Sequence, residues 1–442
     1  MHSPEINKHE QEYVTMHDMV RDVALWIASK QDHTIKVNYT KELNEFLDNE
    51  AIKDFYAIAS WYDLNGLLQF PSRLDAPKLE ILLFDSSTTF DLSLASFEGT
   101  KELKVFAVIH RYSYPSLMKK PQSIQQLSNL RTLRLQHWDL GDISFVVSLT
   151  RLEILDLKGS EFEKLPNGIE KLNKLKMLDL SRCKIDECCY KVIGRCSHLE
   201  ELYVYPHFSH LENINCFEYL QGVPALTKLK RYKLEMGKLT ENARFFWREE
   251  RRSLCLGHPN ISMSSALIKD IVQRATAIQF YKLLGGCKSF IPNMVQAMGG
   301  MNELTKLHLQ CCSEMECIAD ETTLMKMWLS QDWLESLGIF NCPQLLHIFP
   351  VDCNLRNLKF LDIVECPMLT SLFPVSVACT LLSLEKLYIE NCIELKHLIE
   401  VETGGDQNEI QIVLPPWNVF SFKIFQILLE FVQKGVNQGS HL

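Results

Sequence analysis

Leu384-Glu-Lys-Leu387-Tyr-Ile389-Glu-Asn-Cys392 is the stretch whose spacing sets the fold. It reads Leu-x-x-Leu-x-Leu-x-x-Cys. The same spacing returns at Leu358, Leu361, Ile363 and Cys366, and at Leu334, Leu337, Ile339 and Cys342. It returns again at Leu304, Leu307, Leu309 and Cys312, and at Leu175, Leu178, Leu180 and Cys183. The inner apolar pair alternates with period two, so both of its side chains point to one side and the residues beside them to the other. A repeat of this kind predicts one short strand and one turn per unit, with neighbouring units sharing a core. The Cys falls at the bend leaving the strand, where a small apolar thiol packs between turns.

This spacing is the leucine-rich-repeat signature, and the expected fold class is an α/β solenoid with a curved parallel sheet. Looser copies fill the interval: Leu79-Leu82-Phe84, Leu103-Phe106-Val108, Leu130-Leu133-Leu135, Leu152-Leu155-Leu157, Leu199-Leu202-Val204 and Leu229-Tyr232-Leu234. The starts at Leu130, Leu152 and Leu175 lie 22 and 23 residues apart, inside the usual period of about 20–29. The pattern thins from about 236 to 300. Strands are still expected at 253–256 and 277–281, with a helix at 266–272 between them. The total comes to about 12 to 14 repeats. A solenoid grows by adding units, so 442 residues need not split into conventional domains. The expected division is a polar N-terminus at 1–12, a transition at 13–75 and repeats at 76–400. Residues 401–442 form a loop and a C-terminal tail or cap.

The formal net charge of −9 is mild for this length and gives no basic face for nucleic acid. Of the 15 cysteines, five occupy the repeat slot, which accounts for them without disulfides. The first ten residues carry no apolar run that would read as a secretory signal. The expected setting is therefore reducing and cytoplasmic. No stretch reaches the roughly 18–20 apolar residues of a membrane helix.

Near the N-terminus, Val20, Val23, Ala24 and Ile27 form the stripe of an amphipathic helix, and Thr15 with Asp18 fits a capping pattern at its start. The stretch Val14-Thr-Met-His-Asp-Met-Val-Arg-Asp-Val-Ala-Leu-Trp-Ile-Ala-Ser29 resembles the end of the nucleotide-binding region of plant intracellular immune receptors. These are the coiled-coil, NB-ARC, leucine-rich-repeat disease-resistance proteins. Met16-His17-Asp18 matches their MHD motif. The resemblance implies a winged-helix remnant at 13–75 and a role for His17 in contacting the phosphate of bound ADP. It also implies pathogen defence, with the repeats recognising an effector or a guarded host protein and restraining an ADP/ATP switch. The NB-ARC and coiled-coil modules would then be partners of this chain. No Gly-x-x-x-x-Gly-Lys-[Ser/Thr] loop is present, so the chain by itself is expected to need no cofactor. The alternative is a stand-alone repeat scaffold without a nucleotide switch.

No metal is expected. Cys188, Cys189, Cys196 and His198 lack the spacing of paired zinc hooks. No Gly-x-Ser-x-Gly elbow or His-Glu-x-x-His helix occurs, so binding rather than catalysis is expected. The residues flanking each buried pair should line the concave face. By that rule Tyr203, Tyr205, His308, Phe340, Phe360 and Tyr388 are the expected protein-binding residues, since aromatics dominate interface hot spots.

Overall fold

The computed structural model describes residues 34–37, 50–60, 72–86, 92, 95–110, 116–119, 122–185, 188–205, 220–237, 250–259, 265–283, 288–291, 300–301, 303–319, 334–351 and 353–400. Met16, His17 and Asp18 lie outside this set, as do the winged-helix remnant around them and residues 401–442. The chain divides into two compact units, residues 1–234 and 235–442.

In the first unit, parallel strands follow one another in chain order: Thr34–Val37, Ala57–Ser60, Ile81–Ser86, Val105–His110, Thr132–Gln136, Ile154–Asp156, Met177–Asp179, Glu201–Val204 and the start of Arg231–Gly237. The register is fixed by the apolar pairs, with Leu82 beside Phe106, Phe106 beside Leu133, and Leu133 beside Leu155. These inward side chains are fully buried. The strand Thr34–Val37 pairs with Ala57–Ser60, so the ladder starts inside the stretch read as transition. A second small parallel sheet of Ser116–Lys119, Trp138–Gly141, Glu161–Phe162 and Lys184–Ile185 runs beside the first.

Each repeat re-enters the sheet through a tight turn closed by the leucine that opens the motif. Leu130 donates to Leu127, Leu152 to Leu149 and Leu175 to Leu172, all near 3 Å. The following residue then donates to the preceding strand, as Glu153 N–H does to Arg131. Side chains at this position carry both signs of charge, and ion pairs join them: Lys104 to Glu80 at 2.7 Å, Lys176 to Glu153 at 3.5 Å and Lys230 to Glu200 at 2.6 Å. Pairs as exposed as these stabilise little, but they leave no single-sign strip along that border.

In the second unit the ladder runs Arg252–Gly257, Ala277–Tyr281, Lys306–Gln310, Ser336–Phe340, Phe360–Val364 and Lys386–Glu390. The helix Ala266–Arg274 crosses behind it with Leu267, Ile268, Ile271 and Val272 buried. The weakly patterned stretch thus holds the two strands and the helix expected there. Leu361, Ile363, Leu387 and Ile389 are buried, and Phe360, Asp362, Lys386 and Tyr388 lie on the opposite face. Burying each such Leu or Ile contributes about 1.5–3 kcal/mol, divided between two neighbouring repeats. Among the described residues helices are few, and the return paths described are turns, short 3-10 helices and two-residue to four-residue strands. Among the described residues no helix is long and apolar enough to cross a membrane.

Candidate protein-binding face

The sheet face opposite the leucine core carries the middle residue of each Leu-x-Leu pair. In the first unit these are Ala59, Leu83, Ala107, Arg134, Asp156, Asp179, Tyr203 and Lys233. The first three are apolar and buried, forming a cluster with Ala57 and Ile81. The next three form a polar network. Arg134 Nε and Nη2 reach Asp156 Oδ2 at 2.9 and 2.8 Å, and Gln136 Nε2 donates to the same oxygen at 2.7 Å. The Lys158 backbone N–H donates to Asp156 Oδ1 at 3.1 Å. Burial pushes the Asp156 carboxyl up, but Arg134 and these donors outweigh it and hold the group below the usual carboxylate range. Asp179 sits one strand on and accepts from the Ser181 backbone N–H at 2.8 Å. Burial, then the charge of Asp156, pushes Asp179 up to about 7. Tyr203 is half-buried beside it and donates to Glu201 at 2.9 Å. Tyr205, just past the strand, is also half-buried, and its carbonyl accepts from Arg182 N–H.

In the second unit the same column holds Gln279, His308, Gly338, Asp362 and Tyr388. His308 does not present an exposed ring, contrary to the alternation rule. It is 4% exposed. A Cβ on Gly338 would lie 2.5 Å from His308 Nε2, so the ring lies across the space that glycine leaves. It also packs against Phe340 at 5.2 Å between centroids. Burial, with the charge of Lys306 adding to it, lowers His308 to about 3, and the ring is neutral at physiological pH. Phe340 is correspondingly half-buried. Gln279 Nε2 donates to Gln310 Oε1 at 2.9 Å in the same buried layer.

The last two strands differ. Phe360 is 37% exposed, and it pairs in register with the exposed Lys386. Lys386 forms an ion pair with Asp362 at 3.5 Å and lies over the Tyr388 ring at 5.7 Å. The Tyr388 hydroxyl donates to Glu390 at 2.6 Å. This arrangement holds the Tyr388 ring in place with its hydroxyl satisfied, beside an open Phe360 face. The large apolar side chains exposed among the described residues, Leu346, Val351, Phe360, Met368, Leu382 and Ile393, all fall in residues 346–393.

The six expected residues therefore separate. Tyr203 and Tyr205 belong to the first unit, beside Asp179. Phe360 and Tyr388 sit on neighbouring strands and form one patch. Phe340 and His308 form a packed layer. The Arg134–Gln136–Asp156 network is an addition, and its sequence signal is a charged residue inside Leu-x-Leu, as in Leu155-Asp-Leu157 and Leu178-Asp-Leu180. No grouping of His, Cys, Asp and Glu suited to a metal occurs among the described residues.

The comparisons with known proteins bear on this face. Residues 286–393 match the leucine-rich repeats of RPS2-like plant disease resistance proteins. The disease resistance protein At4g27190 of Arabidopsis thaliana is 25% identical over 292 residues, which are 57% of this chain and 28% of that protein. The probable disease resistance protein At1g12290 of the same plant is 29% identical over 174 residues, 38% of this chain and 19% of its own length. The aligned regions thus span less than a third of either relative. A leucine-rich-repeat protein of Leptospira interrogans superposes with a TM-score of 0.45 at 18% identity, over 83% of this chain and 84% of that one. The strands that carry Phe360 and Tyr388 thus lie in the segment that matches the leucine-rich repeats of plant disease resistance proteins.

Proposed function

We propose that this chain is the sensing region of a plant disease-resistance receptor, and that the Phe360–Tyr388 patch is where it binds a pathogen effector or a host protein altered by one. The observation that carries the reading is the coincidence of two things on residues 286–393. This segment matches disease-resistance repeats, and it holds the open aromatic patch of the sheet face. An aromatic side chain held by its own hydrogen bond, as Tyr388 is by Glu390, loses little conformational freedom on binding, which suits it to a hot spot. In this reading the repeats also restrain an ADP/ATP-binding module elsewhere in a longer receptor. His17, in the Met16-His17-Asp18 motif, contributes a phosphate contact to that module's resting state.

The test is site-specific photo-crosslinking in plant tissue with and without pathogen challenge. A benzophenone side chain at position 388 should join the chain to a protein partner. The same probe at position 396, on the return side of the same repeat, should not. Equal labelling from both positions, or none from either, contradicts the proposal.

A further inference from the structure

Four thiols stand in one row in the second unit. Cys312, Cys342, Cys366 and Cys392 each follow a residue with positive φ, namely Cys311, Asn341, Glu365 and Asn391. Each Sγ donates to the carbonyl two residues back, at 3.6, 3.5, 3.6 and 3.5 Å in that order. The ladder registers Leu309, Ile339, Ile363 and Ile389 side by side, and each thiol lies three residues beyond. Successive Cα atoms are therefore about one strand spacing apart, ~4.8 Å, within the roughly 4.4–6.8 Å that a disulfide spans. Neighbouring thiols are in side-chain hydrogen-bonding contact along the row, Cys312 with Cys342, Cys342 with Cys366 and Cys366 with Cys392. All four are free.

Access differs along the row. Cys312, Cys342 and Cys366 are buried, whereas Cys392 is only half-buried, between the exposed Asn391 and Ile393. An oxidant from solvent therefore meets the row at Cys392. Its hydrogen bond with Cys366 and its burial push the Cys392 thiol up, while the contacts with Cys342 and Cys392 hold Cys366 down, so the Cys392 proton must leave with the departing oxygen as the sulfur attacks. The nearest thiol to resolve the product is Cys366.

We propose that Cys392 and Cys366 form a reversible thiol–disulfide site that responds to a hydroperoxide. The Cys392 sulfur attacks the peroxide oxygen, giving the sulfenic acid and one water. The Cys366 sulfur then attacks the sulfenic sulfur and releases a second water as the S–S bond forms. The two thiols give up two hydrogens and two electrons, and hydrogen peroxide is reduced to two waters. A dithiol reverses the step. The bond ties together the two strands that carry Phe360 and Tyr388, though the site stands whether or not that patch binds a partner.

The test uses the full chain, hydrogen peroxide and maleimide quenching, followed by tryptic digestion without reduction. Residues 360–386, which hold Cys366 and Cys379, should be joined to residues 387–396, which hold Cys392. The joined species should be lighter than the two peptides by a pair of hydrogens. Fragment ions should place the bond on Cys366, and dithiothreitol should abolish it. Cys392→Ser should lose the joined species while Cys379→Ser retains it. Amide exchange across Lys386–Glu390 should slow on oxidation of the parent chain and not of Cys392→Ser. A bond mapping to Cys379 would overturn the proposal. So would Cys392 accumulating as sulfinic acid with Cys366 still alkylated by maleimide, or peroxide leaving both thiols free.

Discussion

At the scale of single residues, the sheet face is governed by what the neighbouring strand leaves open. Gly338 leaves one side chain of space, and the His308 and Phe340 rings fill it. Gly338→Ala should force the imidazole out and cost about 1–3 kcal/mol. In a His308→Ala background the same change should cost less, with the Phe340 ring still to be displaced from 2.6 Å. Urea unfolding of the four chains of this cycle should give a coupling of about 1 kcal/mol or more, and simple additivity would mean the ring does not occupy that space. Two groups on the sheet face, the buried His308 and the half-buried Asp179, also set opposing pH slopes. His308 titrates near 6.5 when unfolded and at about 3 when folded, so the unfolded chain binds more protons in that window and stability falls as pH drops from 6.5. Asp179 titrates near 3.8 unfolded and at about 7 folded. The folded chain holds its proton longer, so stability falls as pH rises from about 4 to 7. Each effect is worth at most about 1.4 kcal/mol per pH unit. Asp179→Asn should remove the second slope, raising the melting temperature at pH 7–8 and steepening the decline below pH 6.5. A melting profile unchanged at both ends would rule out the proton on Asp179.

At the scale of the repeat, the strand is short and the bend after it carries the conformational cost. Cys311, Asn341, Glu365 and Asn391 all take left-handed backbone, with φ between 52° and 57°. Their N–H groups extend the ladder, as Asn341 does to Val364 at 2.8 Å and Glu365 to Glu390 at 2.9 Å. Asn tolerates this conformation and Glu does not favour it. Glu365→Gly should therefore stabilise the chain by roughly 0.5–1 kcal/mol, read as a higher urea midpoint with unchanged slope. By contrast, Leu361→Ala should cost about 2–5 kcal/mol. The ladder was legible because Leu-x-x-Leu-x-Leu states both the period and the buried face. Even the thinned stretch at 252–281 kept enough alternation to show its strands. Thr34–Val37 was less legible, since Thr-Ile-Lys-Val is too short for its alternation to stand out and lacks the leading leucine. The burial of His308 was not legible, because alternation reports which face a side chain takes and not what the adjacent strand offers it. The Asp156 network was half legible, as charged residues at known positions whose partners two strands share.

At the scale of the whole molecule, the ladder of each unit supplies a face whose border carries ion pairs of both signs, and among the described residues the exposed aromatic side chain on it is Phe360, beside Tyr388. Such a surface suits protein recognition. The sequence holds no Gly-x-x-x-x-Gly-Lys-[Ser/Thr] loop, whose backbone donors and Lys act together on phosphate. The phosphate contact proposed for His17 would supply one hydrogen bond worth about 0.5–1.5 kcal/mol, whereas even millimolar affinity needs about 4 kcal/mol. Calorimetric titration of ADP into residues 1–442 should therefore show no binding at micromolar concentrations. In a longer receptor that carries the phosphate loop, His17→Ala should loosen ADP and raise resting activity, since the proposed contact belongs to one of two states. Unchanged ADP content and unchanged activity in that receptor would remove the switch from the proposal.

The most direct measurement is a titration of the crosslinked partner, once purified, against the parent chain and three single variants. Phe360→Ala and Tyr388→Ala should each weaken binding by fivefold or more, which is about 1 kcal/mol. Lys396→Ala, on the return side, should leave the affinity within a factor of two, roughly 0.4 kcal/mol. A partner that binds all four chains equally would place recognition away from the Phe360–Tyr388 patch and contradict the account.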